Sequence, residues 1–143
     1  MKIREIVAKE IDEVIALVWL VFMQYVAPDY SEEGSRTFQN FIQDKEQMEA
    51  LTIYGAFIEE EMVGVLAMRE ANHISLFFVK DGYQRQKIGR KLFEYMLEKN
   101  DSQSFSVNAS PYAVPIYRHL GFRDEKPQEE KDGIIFTHMI YSR

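Results

Sequence analysis

The sequence predicts a mixed α/β domain: a mostly antiparallel sheet of about six or seven strands, one parallel pair near its centre, and about four flanking helices. Two observations carry this. Residues 51–59, 62–69 and 73–79 are three apolar, strand-like runs joined by short connections, which makes them an antiparallel meander. An amphipathic helix follows, and the next strand-like run, 104–107, comes only after it. A strand reached through a helix lies parallel to the strand before that helix, through a right-handed crossover.

The remaining elements follow in chain order. Residues 2–7 alternate loosely and read as a first strand. Over residues 10–26, Ile11, Val14, Ile15, Val18, Phe22 and Tyr25 recur at helical spacing, while Leu17, Trp19, Leu20 and Val21 make the helix apolar on nearly every side. Such a helix is buried in the core or against a partner chain, and Pro28 ends it. Ser31 suits an N-cap, and Glu32 and Glu33 suit the dipole of a second helix running to about Gln43. The same acids, with Asp29, also suit the rim of a site for a cationic acceptor. The turn at residues 59–61 is acidic, as solvation alone explains. The central helix buries Ile88, Leu92 and Met96, with Phe93 and Leu97 beside them, and stops near Asn100. In the last helix Ser110 caps, Pro111 takes the first helical position, Pro115 falls in the first turn and Gly121 closes. Phe122 onward and residues 133–141 form a closing hairpin across a charged loop.

Composition narrows the functional classes. A chain of 143 residues is one domain by length and buries a core without staples. It has no cysteine, which excludes disulfides, thiolate nucleophiles and cysteine metal sites and is compatible with a reducing cytoplasm. His119 and His138 have no partner at ligand spacing, so both read as structural and no metal is expected. A net charge of −6 opposes nonspecific nucleic-acid binding and mildly favours a cationic substrate. The longest apolar run, residues 14–23, is too short to cross a bilayer and lies behind acidic residues, unlike a signal peptide. The expectation is a cytoplasmic protein with neither nucleic acid nor membrane as partner.

Residues 73–97 organise the rest. An apolar strand, 73–79, passes through a polar turn at 80–83 into a basic, glycine-containing helix start. A helix N-terminus delivered from a sheet aims unpaired N–H groups and the positive end of its dipole at whatever sits there. Arg85, Lys87, Arg90 and Lys91 add charge around that turn, so the segment reads either as an anion site or as a solvated basic face. Neither GxxxxGK[ST] nor GxGxxG is present.

The segment QRQKIGRKL, Gln84 to Leu92, resembles the pyrophosphate loop of the GNAT superfamily of acyl-CoA-dependent N-acetyltransferases, with Gln84 at its first position and Gly89 at its last. Lys87 stands where the pattern has its first glycine. The segment NASPYAVPIYRHLGF, Asn108 to Phe122, is similar to the family's segment after the fifth strand. The resemblance implies a GNAT fold whose central parallel pair splays, and direct acetyl transfer from acetyl-CoA to an amine. The acceptor is then a small-molecule amine or the lysine or N-terminal amine of a peptide.

The resemblance also assigns site residues. Gln84, Arg85, Gln86, Lys87, Ile88, Gly89 and Arg90 form the cofactor-binding bend, with the N–H groups of residues 86–90 on the pyrophosphate. Phe77, Phe78 and Val79 end the splayed strand, where an N–H near Phe78 or Val79 meets the thioester carbonyl. Asn108 touches the pantetheine arm, and Tyr117 faces the sulfur as general acid. His73 falls where histone-acetylating members carry a glutamate base, although a histidine at a strand start is also unremarkable. Two alternatives stay open: a non-catalytic acyl-CoA sensor, and a subunit, such as one half of a homodimer, whose interface is residues 14–23.

Overall fold

The computed structural model describes residues 1–83 and 86–143. Its sheet runs through β1 (Lys2–Glu5), β2 (Thr52–Ile58), β3 (Glu61–Arg69), β4 (His73–Val79), β5 (Ser104–Ala109), β6 (Arg123–Asp124), β7 (Glu129–Lys131) and β8 (Ile134–Ser142). The helices are α1 (Ile11–Val21), α2 (Glu32–Gln43), α3 (Lys45–Glu49), α4 (Ile88–Glu98) and α5 (Val114–Leu120). The strand order is β1-β2-β3-β4-β5-β8-β6, with β7 paired to β8. Every pairing is antiparallel except β4 with β5, the parallel pair that the α4 crossover requires.

Two apolar layers sandwich the sheet. Ile88, Leu92, Phe93 and Met96 of α4 pack with Tyr117 of α5 and with Leu66, Ile74, Phe105 and Val107 on one face. Leu92 and Met96 are wholly buried, and burial of each such side chain stabilises by roughly 1.5–3 kcal/mol. On the other face Val14, Val18 and Val21 of α1 pack with Ile42 of α2 and Met48 of α3 against Ile53, Val65 and Leu76. Half of the apolar stretch expected at 14–23, namely Val14, Leu17, Val18, Val21 and Phe22, is therefore buried core, with Ala16, Leu20 and Met23 exposed.

Three local outcomes differ from the sequence reading. The first helix continues through one π-helical turn, Phe22–Val26, and a 3₁₀ turn, Ala27–Asp29. The whole of Ala8–Asp29 is then, by length and composition, long and apolar enough to cross a membrane, which the apolar run 14–23 alone is not. Its buried stripe faces the sheet, as a core helix does. The five-residue α3 was not anticipated because it has no apolar periodicity; Asp44 caps it by accepting from the Gln47 N–H at 3.2 Å. The last helix starts at Val114, not at Pro111. Ser110 closes a preceding turn by accepting from the Ala113 N–H, and Pro115 takes the early position that lacks a helical N–H partner.

α2 is fixed where its entry meets the β7–β8 turn. The N-cap oxygen of Ser31 accepts from the Gly34 N–H at 3.1 Å. A side chain on Gly34 would meet the Gly133 carbonyl oxygen at 2.1 Å, so only a pair of glycines permits this approach. The contact sets the position from which Phe38 is presented.

Candidate active site

The site begins with a defect in the sheet. β3 and β4 pair in step from Gly64↔Val79 to Ala67↔Leu76, after which Met68 pairs with Ile74, leaving Ser75 as an extra residue. A bulge bends its strand and increases the local twist. β4 and β5 are paired only before it, at His73↔Ser106 and Ile74↔Val107, and separate beyond it. The bulge also reverses sidedness: Ile74 faces the α4 side, and after the extra residue Phe77 and Val79 do so while Leu76 and Phe78 face α1.

A cavity of about 700 Å³ occupies the opening and reaches both faces of the sheet. At the α4–α5 end it is lined by Lys87, Gly89, Arg90, Tyr117 and His119; at the α1–α2 end by Val21, Phe22, Val26, Tyr30, Phe38 and Phe78. Ser75 and Asn108 lie on the passage between. The π-helical turn widens the last stretch of the first helix where it forms the cavity wall. Tyr25 in that turn donates its hydroxyl to Asp81 and stacks on Tyr112 at 4.9 Å, tying three rim segments together.

At the α4 end the expected bend takes shape with two adjustments. Lys87 is the N-cap, at φ 59° and ψ 23°, the left-handed conformation that glycine adopts at no steric cost. The glycine that the pattern has at this position would adopt the same conformation without strain. Among the described residues no side chain caps α4, and the N–H groups of Ile88, Gly89 and Arg90 precede the first i→i−4 bond, Lys91 N–H to Lys87 O at 3.0 Å. The Gln86 N–H is not part of that set, because it donates to the Tyr83 carbonyl at 3.2 Å. The Ile88 side chain is core, leaving only its backbone for a ligand. Arg90 reaches across to the His119 carbonyl at 3.2 Å, which holds α4 and α5 together at this end. Gln84 and Arg85 lie outside the described residues.

On β4, the Lys80 N–H donates to Val63 O at 2.8 Å. Alternation along the strand then turns the Phe78 N–H toward β3 and the Val79 N–H toward the opening. Of the two amides that sequence reasoning named, Phe78 is thus committed to the ladder and Val79 is the one on the cavity side.

Tyr117 is buried, with 5 % of its surface exposed, edge-on to Phe77 at 5.8 Å and to Phe122 at 5.2 Å. Burial pushes its phenol well above its ordinary value. Among the described residues no hydrogen bond engages its hydroxyl and no buried side-chain oxygen is left unpartnered, so the hydroxyl opens onto the cavity it lines. Asn108 lines the same cavity and is held from behind. His138 Nδ1 lies 2.8 Å from Asn108 Oδ1, and His138 Nε2 lies 3.2 Å from Glu125 Oε1. Sequence reasoning missed this Glu125–His138–Asn108 bridge and took His138 for an isolated residue. The three meet only through the β5–β8 register, Asn108↔His138.

His73 is elsewhere. It sits at the closed end of the opening, still paired with Ser106, and its Nδ1 is 2.8 Å from Ser106 Oγ. It is absent from the cavity lining, and burial, with smaller contributions from Arg69 and His138, lowers its pKa to about 4. Both facts disfavour it as a base. Asp29, Glu32 and Glu33 are exposed and line no part of the cavity.

A sheet parted by a bulge around a two-ended cavity is an architecture for bringing a donor and an acceptor together. The acetyltransferase (GNAT) domain matches residues 26–143, and the chain belongs to that family, whose chemistry is acyl transfer. Comparison with curated protein sequences returns no match. Among solved structures, the chain resembles a GCN5-related N-acetyltransferase from Rhodopseudomonas palustris (TM-score 0.87, 19% identity, covering 99% of this chain and 95% of that one). It also resembles the PaiA N-acetyltransferase from Thermoplasma acidophilum, solved in complex with coenzyme A (TM-score 0.75, 19% identity, 99% and 98%). A third is apo YjaB from Escherichia coli (TM-score 0.76, 20% identity, 98% and 96%). At these identities the likeness is one of fold.

Proposed function

We propose that this protein is an N-acetyltransferase that moves acetyl from acetyl-CoA directly to an amine. The observation that carries the reading is the bulge-opened passage, with cations and helix N–H groups at one end and the Tyr117 hydroxyl within. The donor set fits a diphosphate: three N–H groups at the start of α4, the Lys87 and Arg90 side chains, and Gly89, where an added Cβ would meet Phe77 at an ordinary 3.6 Å. The fold therefore tolerates alanine at position 89, and glycine there keeps the space open for a ligand.

Bound acetyl-CoA supplies an activated thioester. The chain's residues do the rest. The strand end at Phe78 and Val79 borders the cavity, and a backbone N–H there would meet the thioester carbonyl oxygen as charge grows on it. Asn108, steadied by His138, positions the pantetheine arm. Tyr117, kept protonated by burial, gives its proton to the departing sulfur while the amine nitrogen forms the new bond to carbon. No carboxylate lines the cavity among the described residues, so the amine's proton leaves through water.

Incubation with acetyl-CoA and a panel of amines, followed by free-thiol release and mass spectrometry of the products, tests the reading. Amine-dependent thiol release is expected. Thermal stabilisation by acetyl-CoA without release from any amine would identify a sensor instead.

A further inference from the structure

We infer that the acceptor is a small primary amine carried on an aromatic body, and not a polyamine or a lysine-bearing basic peptide. The inference rests on the acetyltransfer reading and deepens it, because it concerns the other end of the same cavity.

The α1–α2 end is walled by rings that brace one another. Phe22, with 1 % of its surface exposed, stacks on Phe38 at 4.2 Å with their planes 8° apart, and on Trp19 at 5.5 Å from the other side. Tyr30 meets Phe22 edge-on at 5.5 Å, and Phe38 and Phe78 are tilted against each other at 6.0 Å. Phe22 is buried by this packing, yet Tyr30, Phe38 and Phe78 are only half-buried. All three line the cavity, so ring surface that a core would cover is turned to it instead. Apolar surface left uncovered inside a concave site marks the part of a ligand it receives, and rings meet rings in offset or edge-on geometry.

Charge points the same way. Among the described residues no Asp or Glu lines the cavity. The Tyr30 phenol stays neutral, its pKa pushed up to about 12 by burial and then by Asp29. An acceptor with a second ammonium group would carry that charge into an apolar chamber with no carboxylate in its described lining to pair it, which is unfavourable, Asp81 at the rim being engaged by the Tyr25 hydroxyl. Glu32 and Glu33 occupy the first turn of α2, as their suitability for its dipole leads one to expect, and neither they nor Asp29 line the cavity that would take a cation. Size gives a third limit: about 700 Å³ is shared with the cofactor's arm, and Tyr112 in its lining is braced by its stack on Tyr25, leaving room for a small molecule. In the transfer, the amine nitrogen forms a bond to the acetyl carbon, the carbon–sulfur bond breaks, the sulfur takes the Tyr117 proton and the amine's proton passes to water.

The test compares 2-phenylethylamine, n-butylamine, spermidine and the peptide Ala-Lys-Ala as acceptors at saturating acetyl-CoA, by thiol release. Phe38→Leu, which keeps the apolar volume without the ring, is measured beside the parent, with Tyr30→Leu as the second variant should the first fold poorly. The expected result is a kcat/KM for 2-phenylethylamine at least tenfold above each other acceptor. That advantage should shrink below threefold in the leucine variant while thermal stabilisation by acetyl-CoA is unchanged. Saturation-transfer NMR with the CoA-bound protein should mark the ring protons of 2-phenylethylamine. A preference for spermidine or the peptide, or an equal loss for all amines in the variant, overturns the inference and leaves acetyl transfer standing. No stabilisation by acetyl-CoA and no thiol release overturns both.

Discussion

Replacing Lys87 with glycine separates the backbone role of this position from its charge. At φ 59° and ψ 23°, the side chain is held in a left-handed conformation that costs a non-glycine residue about 1–2 kcal/mol. Glycine removes that strain but gives up ~0.5–1 kcal/mol of extra freedom in the unfolded chain. The net expectation is a gain of about 0.5–1 kcal/mol and a rise in Tm of roughly 2 °C for a chain of this size. Cofactor affinity should move the other way. One exposed unit charge at ~5 Å from a phosphate contributes about 1 kcal/mol in a solvent-like dielectric, close to fivefold in Kd. Thermal unfolding without ligand and calorimetric titration with acetyl-CoA at two salt concentrations read the two effects separately. A variant that is less stable without ligand would refute the strain argument. One that binds acetyl-CoA as tightly as the parent would remove the Lys87 charge from the site.

Tyr117→Phe should lower kcat at least tenfold with the KM for acetyl-CoA nearly unchanged; unchanged turnover in steady-state assays would remove the hydroxyl from proton transfer. His138→Ala should release the Asn108 carboxamide and raise the KM for acetyl-CoA about fivefold, the equivalent of ~1 kcal/mol of lost positioning; a loss confined to kcat would contradict that role. His73 gives a stability signature. The folded protein takes up its proton only near pH 4, whereas the unfolded chain does so at the ordinary value of 6.5, so its contribution is complete above about 6.5 and is lost as pH falls toward 4. The site is partly exposed, so solvent screening reduces the contribution to about 1 kcal/mol. Denaturant unfolding of His73→Gln between pH 7.5 and 4.5 should show a shallower decline than the parent by that amount; parallel curves would refute the assignment.

Much of the frame is legible in the chain because it depends on local rules. Short connections make β2, β3 and β4 a meander, a helix between strands makes β4 and β5 parallel, and a stripe at Ile88, Leu92 and Met96 buries α4. Gly121 closes α5 at φ 111°, as a left-handed C-cap does. The basic bend before α4 and the position of Tyr117 are legible for the same reason: the relevant groups lie within a turn or two of each other.

The misplaced assignments concern relations across the sheet. His73 and Ser75 are two residues apart, yet only Ser75 lines the cavity, because His73 lies within the parallel pairing and Ser75 is the bulge that ends it. No residue at the bulge announces it, since serine fits an ordinary strand equally well. The Phe78 amide direction follows from a register that only the Lys80–Val63 bond fixes, and His138 acquires partners only through its cross-strand pairing with Asn108.

By itself, then, the sequence determined the order of elements, the helix faces and the charge at the start of α4, each a consequence of spacing along one chain. The tertiary structure decided where the sheet opens, which amide faces the opening and what lines its far end. A bulge, a register and an aromatic wall assembled from the π-helical turn and loop after α1, from α2 and from β4 are properties of segments far apart in sequence, and no local pattern encodes which of their faces will meet.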